Sequence, residues 1–471
     1  MGQEINTPNP LGYAPVAGLI RKYAVPAIVS MLVTAAYNIT DQIFIGRVVG
    51  MLGNAATNIA FPVTIFCTAC ALLIGAGTAT NFNIKLGAKE PGEAALYAGM
   101  GVTIAGVLGL VVFLFIFLFK TPILLVCGAS ENVLPYASLY LGITVFGLPF
   151  LLFSSVSSYL IRADGSPLYS MIAVAVGAVL NVFLDWLFML VFPWGIRGAA
   201  AATIIGQIVS CVLCLTYLPR FKTVSLKLIL PRWAYLKNIL KLGLTNFTNH
   251  MVMMTVNIVL NNTLKHYGAL SVYGPDIPLA VAAVIAKLNT ILTSFAVGLG
   301  QGCQPILGFN TGAKNYARVK ETYKKAATVA IAISILFFLS FQIFPLQIVG
   351  IFGGGTDQYF DFAKRYMRIY MFMVFMFGIQ PLTVNYFTAT GKAKQGIILS
   401  LSRQGFILIP LLIIMPVLFG IDGVLYAGPF ADALAVLLSL SLVWSDFKRL
   451  DKAIAGYQNL TGKSSKSLPI N

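Results

Sequence analysis

The chain has 471 residues, 58% of them hydrophobic and only 10% charged, with a mean hydropathy of +0.85 and a formal net charge of +17. Soluble domains carry about 25% charged residues, so a soluble globule is excluded. Apolar runs of about 20 residues identify an all-α polytopic membrane protein rather than a β-barrel, whose strands alternate over about ten residues. The positive charge sits in short loops on one side of the hydrophobic segments, a positive-inside pattern rather than a phosphate-tracking patch, so no nucleic-acid partner is expected.

Twelve candidate membrane helices follow in order, near 17–46, 57–84, 94–119, 134–160, 167–192, 196–218, 236–264, 279–308, 317–344, 360–388, 395–418 and 422–445. The first hydrophobic segment is expected to stay as an anchor, because the start lacks a basic region followed by a short apolar core and a cleavage site. Asn6 stands where an N-myristoylation motif needs Ser or Thr. The expected organisation is an N-lobe at 1–218, a linker at 219–235, a C-lobe at 236–446 and a polar tail at 447–471. A basic cluster, Lys222, Lys227, Arg232 and Lys237, marks the connection between the lobes. It falls on the same side as Arg21, Lys22, Lys85, Lys89, Arg162, Lys314, Arg318, Lys392 and Lys394. Both termini are therefore expected to be cytoplasmic.

The halves repeat. Gly87-Ala88-Lys89 recurs as Gly312-Ala313-Lys314, a spacing of 225, and Ala163-Asp164-Gly165 recurs as Ala389-Thr390-Gly391, a spacing of 226. Gly195-Ile196-Arg197-Gly198 recurs as Gly420-Ile421-Asp422-Gly423, again at 225. An even number of helices per repeat keeps the halves in one orientation, so an axis along the membrane normal should relate two six-helix bundles.

The fifth segment, SPLYSMIAVAVGAVLNVFLDWLFMLVF, carries one carboxylate, Asp185, with Asn181 four residues earlier on the same helical face. An ionised Asp at the centre of such a helix costs roughly 2.5–3.5 kcal/mol on insertion scales, so a polar interior is expected around it. Asp41, preceded by Tyr37, Asn38 and Thr40, is the acid of the first segment, and Thr203 and Gln207 lie four apart on the sixth. Carboxylates, an amide and hydroxyls are hard oxygen ligands suited to Na⁺, and equally a pair whose like charges favour keeping a proton. The structural alternatives are an interfacial acid for Asp41 and a hydrogen-bonded structural acid for Asp185.

The second repeat lacks these acids. Its intramembrane polar groups are Lys287, Arg403 and Asp432 with Gln301, Gln304 and Gln380. Lys287, Asp432, Gln304 and Gln380 are candidate substrate-cavity residues, with snorkelling or structural pairing the competing reading for the charged ones. Pro26 should bend the first helix near Asp41, as a static kink or one that changes with protonation. The pairs Cys67/Cys70 and Cys211/Cys214 lack His or acidic partners and read as buried core residues rather than a metal site. The stretch Gly456 to Ser464 places five residues between its glycines where a Walker A loop needs four, and no catalytic constellation is found, so neither an ATP site nor an enzyme is expected. No cofactor is expected beyond Na⁺ or H⁺ as a coupling ion.

Across about residues 15–446 the chain resembles the multidrug and toxic compound extrusion (MATE) family, near its prokaryotic DNA-damage-inducible and multidrug-export branches. The segments that carry the likeness are VPAIVSMLVTAAYNITDQIFIGRVVG, YLIRADGSPLYSM, NVFLDWLFM, GIRGAAAATIIGQ and QPILGFNTGAKNYARVK. The resemblance implies a V-shaped antiporter of a bacterial or archaeal cytoplasmic membrane that exports organic cations in exchange for Na⁺ or H⁺; a monomer is expected. It places Asp41, Asn181, Asp185 and Thr203 at the cation site; Tyr37 and Gln207 are expected as supporting polar residues. Some members also carry a Glu in the seventh helix and an Asp in the tenth; here NFTNHMVMMTVNIVL and YMFMVFMFGIQPLTVNYF contain no acid. The alternative function is export of lipid-linked precursors or polysaccharide on a related fold.

Overall fold

The structure is a computed structural model that describes residues 9–129, 131–226, 232–274, 276–351 and 356–461. The Met1-Gly2 start, Lys227 and the Gly462–Ser464 end of the tail loop lie outside the described residues. Twelve helical segments cross the molecule in chain order: α1 Val16–Val48, α2 Met51–Gly87, α3 Pro91–Val126, α4 Leu134–Ala163, α5 Pro167–Val191, α6 Ile196–Arg220, α7 Trp233–Ala269, α8 Asp276–Gly312, α9 Tyr316–Ile343, α10 Asp357–Met376 with Ile379–Ala389, α11 Ala393–Phe419 and α12 Ile421–Thr461. Among the described residues, ten are long and apolar enough to span a membrane, and the two pieces of α10, bent by 40°, make an eleventh. The twelfth is α7. Its 37 residues reach roughly 55 Å at 1.5 Å per residue, but Asn246, Asn249, His250, Asn257, Asn261 and Asn262 lower its hydropathy. Val256 and Leu264 of α7 nevertheless share a buried core with Val281 and Ile285 of α8.

Three departures from the sequence reading have local causes. Segment α10 breaks around Gly378, whose Cβ position lies 3.0 Å from both Ala330 Cβ and Ser334 Oγ, and whose N–H donates to Ser334 Oγ at 3.2 Å. Helix α12 runs on through the expected tail to Thr461. It is tethered there because Tyr386 donates to Asp446 at 2.6 Å and Lys320 pairs with Asp451 at 2.5 Å. Pro26 sits inside an unbroken α1, fifteen residues or roughly 22 Å from Asp41, so it is not beside the acid.

The repeat is visible in the backbone. Lys89 and Lys314 have φ of 62° and 57°, Gly165 and Gly391 of 90° and 78°, and Gly195 and Gly420 of 56° and 58°. Each pair ends or begins equivalent helices in the two halves. Close approaches between halves fall at the end bearing Lys89 and Lys314, hereafter the basic end. A Cβ at Gly77 of α2 would lie 2.1 Å from Ile239 O of α7, and one at Gly302 of α8 would lie 2.4 Å from Ala24 Cα of α1. Glycine permits such contact between backbones. The residues before α1 reinforce it: Leu11 is buried with Leu299, Cys303, Val319 and Tyr323 of the second half, and Arg318 donates to Ala14 O at 2.6 Å.

Candidate functional site

Two helices that touch through glycine assemble the site. A Cβ on Gly177 of α5 would lie 1.9 Å from Ser210 Oγ and 2.5 Å from Gly206 O of α6. With no side chain at either glycine the backbones meet, and the Gly206 Cβ position is 3.1 Å from Asn181 Cβ. Asn181 and Asp185, both buried, continue one face of α5 beyond Gly177. A π-helical turn, Leu187–Val191, begins two residues after Asp185; such turns widen a helix locally and recur at functional sites.

Asp41 arrives from α1, also buried, and its carboxyl interacts electrostatically with that of Asp185. Tyr37 lies one turn before Asp41 on α1. Tyr140 of α4 packs against the buried cluster of Ile45 from α1, Met189 from α5 and Ala199 from α6. Thr203 in turn donates to Ala199 O at 3.0 Å. The sequence reading noted Tyr140 only among the aromatics, because no spacing ties position 140 to 41 or 185.

Partners are missing where chemistry would need them. Among the described residues, Asp41 Oδ1, both Asn181 amide atoms, both Asp185 oxygens and Gln207 Oε1 are buried with no hydrogen-bond partner. Leaving such a group unsatisfied costs about 1–3 kcal/mol, and more for a charge. Five of those six atoms are oxygens. Two neighbouring carboxylates repel in a buried site unless a cation or a proton stands between them, and carboxylate, amide and hydroxyl oxygens are the ligands a hard cation takes.

The residues expected at a substrate cavity are placed differently. Gln304 is buried on α8 and donates across the halves to Thr80 Oγ1 at 2.7 Å and Ala76 O at 3.4 Å, joining them at the basic end. Gln380 is buried and donates to Leu399 O at 3.2 Å, joining α10 to α11. Asp432 of α12 accepts from Arg403 Nε at 2.6 Å, and the Arg403 guanidinium lies 5.2 Å from the Phe377 ring centroid. Lys287 is exposed on α8. The stretches 246–260 of α7 and 370–387 of α10 carry no acid.

The MatE family model matches residues 26–187 and 244–414, one stretch in each half. The multidrug export protein MepA of Staphylococcus aureus (strain NCTC 8325 / PS 47) is 27% identical over 440 residues, which is 92% of this chain and 94% of MepA. Among solved structures, a multidrug resistance MATE family transporter of the MOP superfamily in an outward-facing conformation superposes with a TM-score of 0.89 at 20% identity, covering 96% of this chain and 100% of that one. A MOP superfamily transporter from Pyrococcus furiosus gives 0.88 at 20% identity, over 95% and 100% of the two chains. The two-lobed helical fold is shared along nearly the whole chain, and the family match spans both halves: this protein belongs to the MatE family of multi-pass membrane transporters.

Proposed function

We propose that the protein is a secondary active multidrug exporter, working as a monomer in a prokaryotic cytoplasmic membrane with both termini cytoplasmic. It expels lipophilic organic cations in exchange for Na⁺ or H⁺, with Asp41, Asn181, Asp185 and Thr203 holding the coupling ion. The observation that carries this reading is the set of partnerless buried oxygens on Asp41, Asn181 and Asp185. The placement of the closures supports it. Hydrogen bonds and glycine crossings between the halves lie at the basic end, whereas Asp41 lies thirteen residues, or roughly 20 Å, beyond Ile28, which packs on Gly298. A molecule shut at one end with its ion site toward the other suits alternating access. The similarity to MepA, a multidrug export protein, supports the substrate class.

The test is ethidium efflux from proteoliposomes under separately imposed Na⁺ and pH gradients. Efflux driven by one of the gradients supports the exporter and identifies its ion. A well-folded protein that moves none of several cationic dyes under either gradient turns the reading to export of lipid-linked precursors.

A further inference from the structure

At the basic end, outside the cluster around Asp41, a cavity of about 1060 Å³ opens between α1, the turn before α5 and the stretch after α6. Three exposed cations border it: Arg21 and Lys22 on α1, and Lys222. Among the described residues none of them has a carboxylate partner, although Lys85, Lys320, Lys325, Arg365, Lys392 and Arg403 all do. The Lys22 ammonium lies 5.9 Å from the Tyr23 ring centroid.

The acid nearest this wall is already spent. Asp164 is buried and accepts from the Tyr217 hydroxyl at 2.8 Å, the Lys222 N–H at 2.8 Å, and the Thr223 N–H and hydroxyl at 2.9 Å and 2.5 Å. Tyr169, another wall residue, donates to Leu213 O at 2.8 Å. The wall's internal polar groups therefore satisfy one another and leave the cations to the cavity. The N-terminus of α5, where Ser166 makes no side-chain cap bond, adds the positive end of a helix dipole at the same place.

The rest of the lining is apolar and faces outward: Val25, Leu168 and Ile172 are 51%, 58% and 44% exposed. On α5 this surface continues through Val176 and Val179, also exposed. A guest that matches the whole groove needs a negative head and a hydrocarbon chain. Basic pockets between helices at a membrane surface recognise anionic lipid headgroups in this way. Inorganic phosphate would satisfy the cations and leave the apolar floor unused.

We propose that this groove is a binding site for an anionic phospholipid of the adjoining leaflet, with its phosphate among Arg21, Lys22 and Lys222 and an acyl chain along Val25, Leu168 and Ile172. The site is separate from the ion cluster and does not depend on what the protein exports. It ties α1, which carries Asp41, to α5, which carries Asp185.

The experiment uses the purified full-length protein, delipidated and re-equilibrated with equal amounts of phosphatidylglycerol and phosphatidylcholine of the same chains, with bound lipid counted by native mass spectrometry. Wild type should retain phosphatidylglycerol at least tenfold over phosphatidylcholine, and R21A/K22A/K222A should lose that preference. Should the triple variant misfold, the single exposed change Lys222→Gln should still lower retention about threefold. Equal retention of the two lipids, or full retention by a folded variant, would overturn the proposal. Displacement of phosphatidylglycerol by millimolar inorganic phosphate would overturn it too, by showing a free-anion pocket.

Discussion

Gly87 and Gly312 make the same contact from opposite halves. A Cβ on Gly87 would lie 1.9 Å from Phe309 O, and one on Gly312 would lie 1.8 Å from Ile84 O. The partner positions 84 and 309 are themselves 225 apart, so the repeat read along the chain becomes a two-fold contact where the last turns of α2 and α8 cross. Gly87→Ala or Gly312→Ala forces those backbones apart. Either change should open the basic end and cost about 1–3 kcal/mol of overpacking. Distances between spin labels on α2 and α8 at that end should lengthen; unchanged distances would show that the crossing has slack.

Gln304 bonds both Thr80 and Ala76 across the same crossing. Gln304→Leu keeps the volume and removes the bonds, weakening closure by about 1 kcal/mol. Cysteine accessibility at the basic end should rise several-fold, with ion binding at the distant cluster unaffected. No change in accessibility would leave Gln304 as packing alone.

Asp432 is buried and Arg403 half-buried, so the two halves of this pair should not be removable separately. Arg403→Met or Asp432→Asn alone strands a charge, with an expected loss of about 3–5 kcal/mol, while Arg403→Met with Asp432→Leu should recover much of it. Thermal unfolding in detergent measures this, and equal losses in single and double variants would refute the pairing account.

Asp164, in the turn between α4 and α5, gives a pH signature. Burial pushes its carboxyl above the usual range, against hydrogen bonds from Thr223, Lys222 and Tyr217 that pull it down. An acid raised in the folded state contributes fully below its unfolded value, and that contribution is lost as pH rises through the folded value. Asp164→Asn should therefore flatten the decline in melting temperature as pH rises from about 4. An unchanged slope would assign the decline to other groups.

Much of this was legible in the chain. Eleven of the twelve segments among the described residues follow from apolar length, and the turn glycines Gly165/Gly391 and Gly195/Gly420 show the repeat because positive φ demands glycine there. Asp41, Asn181 and Asp185 stood out because polar groups inside apolar helices are costly. Tyr140 did not, since an aromatic with one hydroxyl is ordinary in a membrane helix. Gln304 and Asp432 drew a cavity role from polarity alone; their partners Thr80 and Arg403 lie 224 and 29 residues away, and spacing does not reveal such pairings.

The central claim is that the Asp41–Asp185 cluster holds the coupling ion. Direct cation binding to purified protein tests it: Na⁺ uptake by calorimetry at fixed pH, and proton uptake with a pH indicator, in wild type and in Asp185→Asn. The account predicts saturable binding of one of these ions to wild type, lost by at least tenfold in folded Asp185→Asn. Undiminished binding to that variant would contradict it.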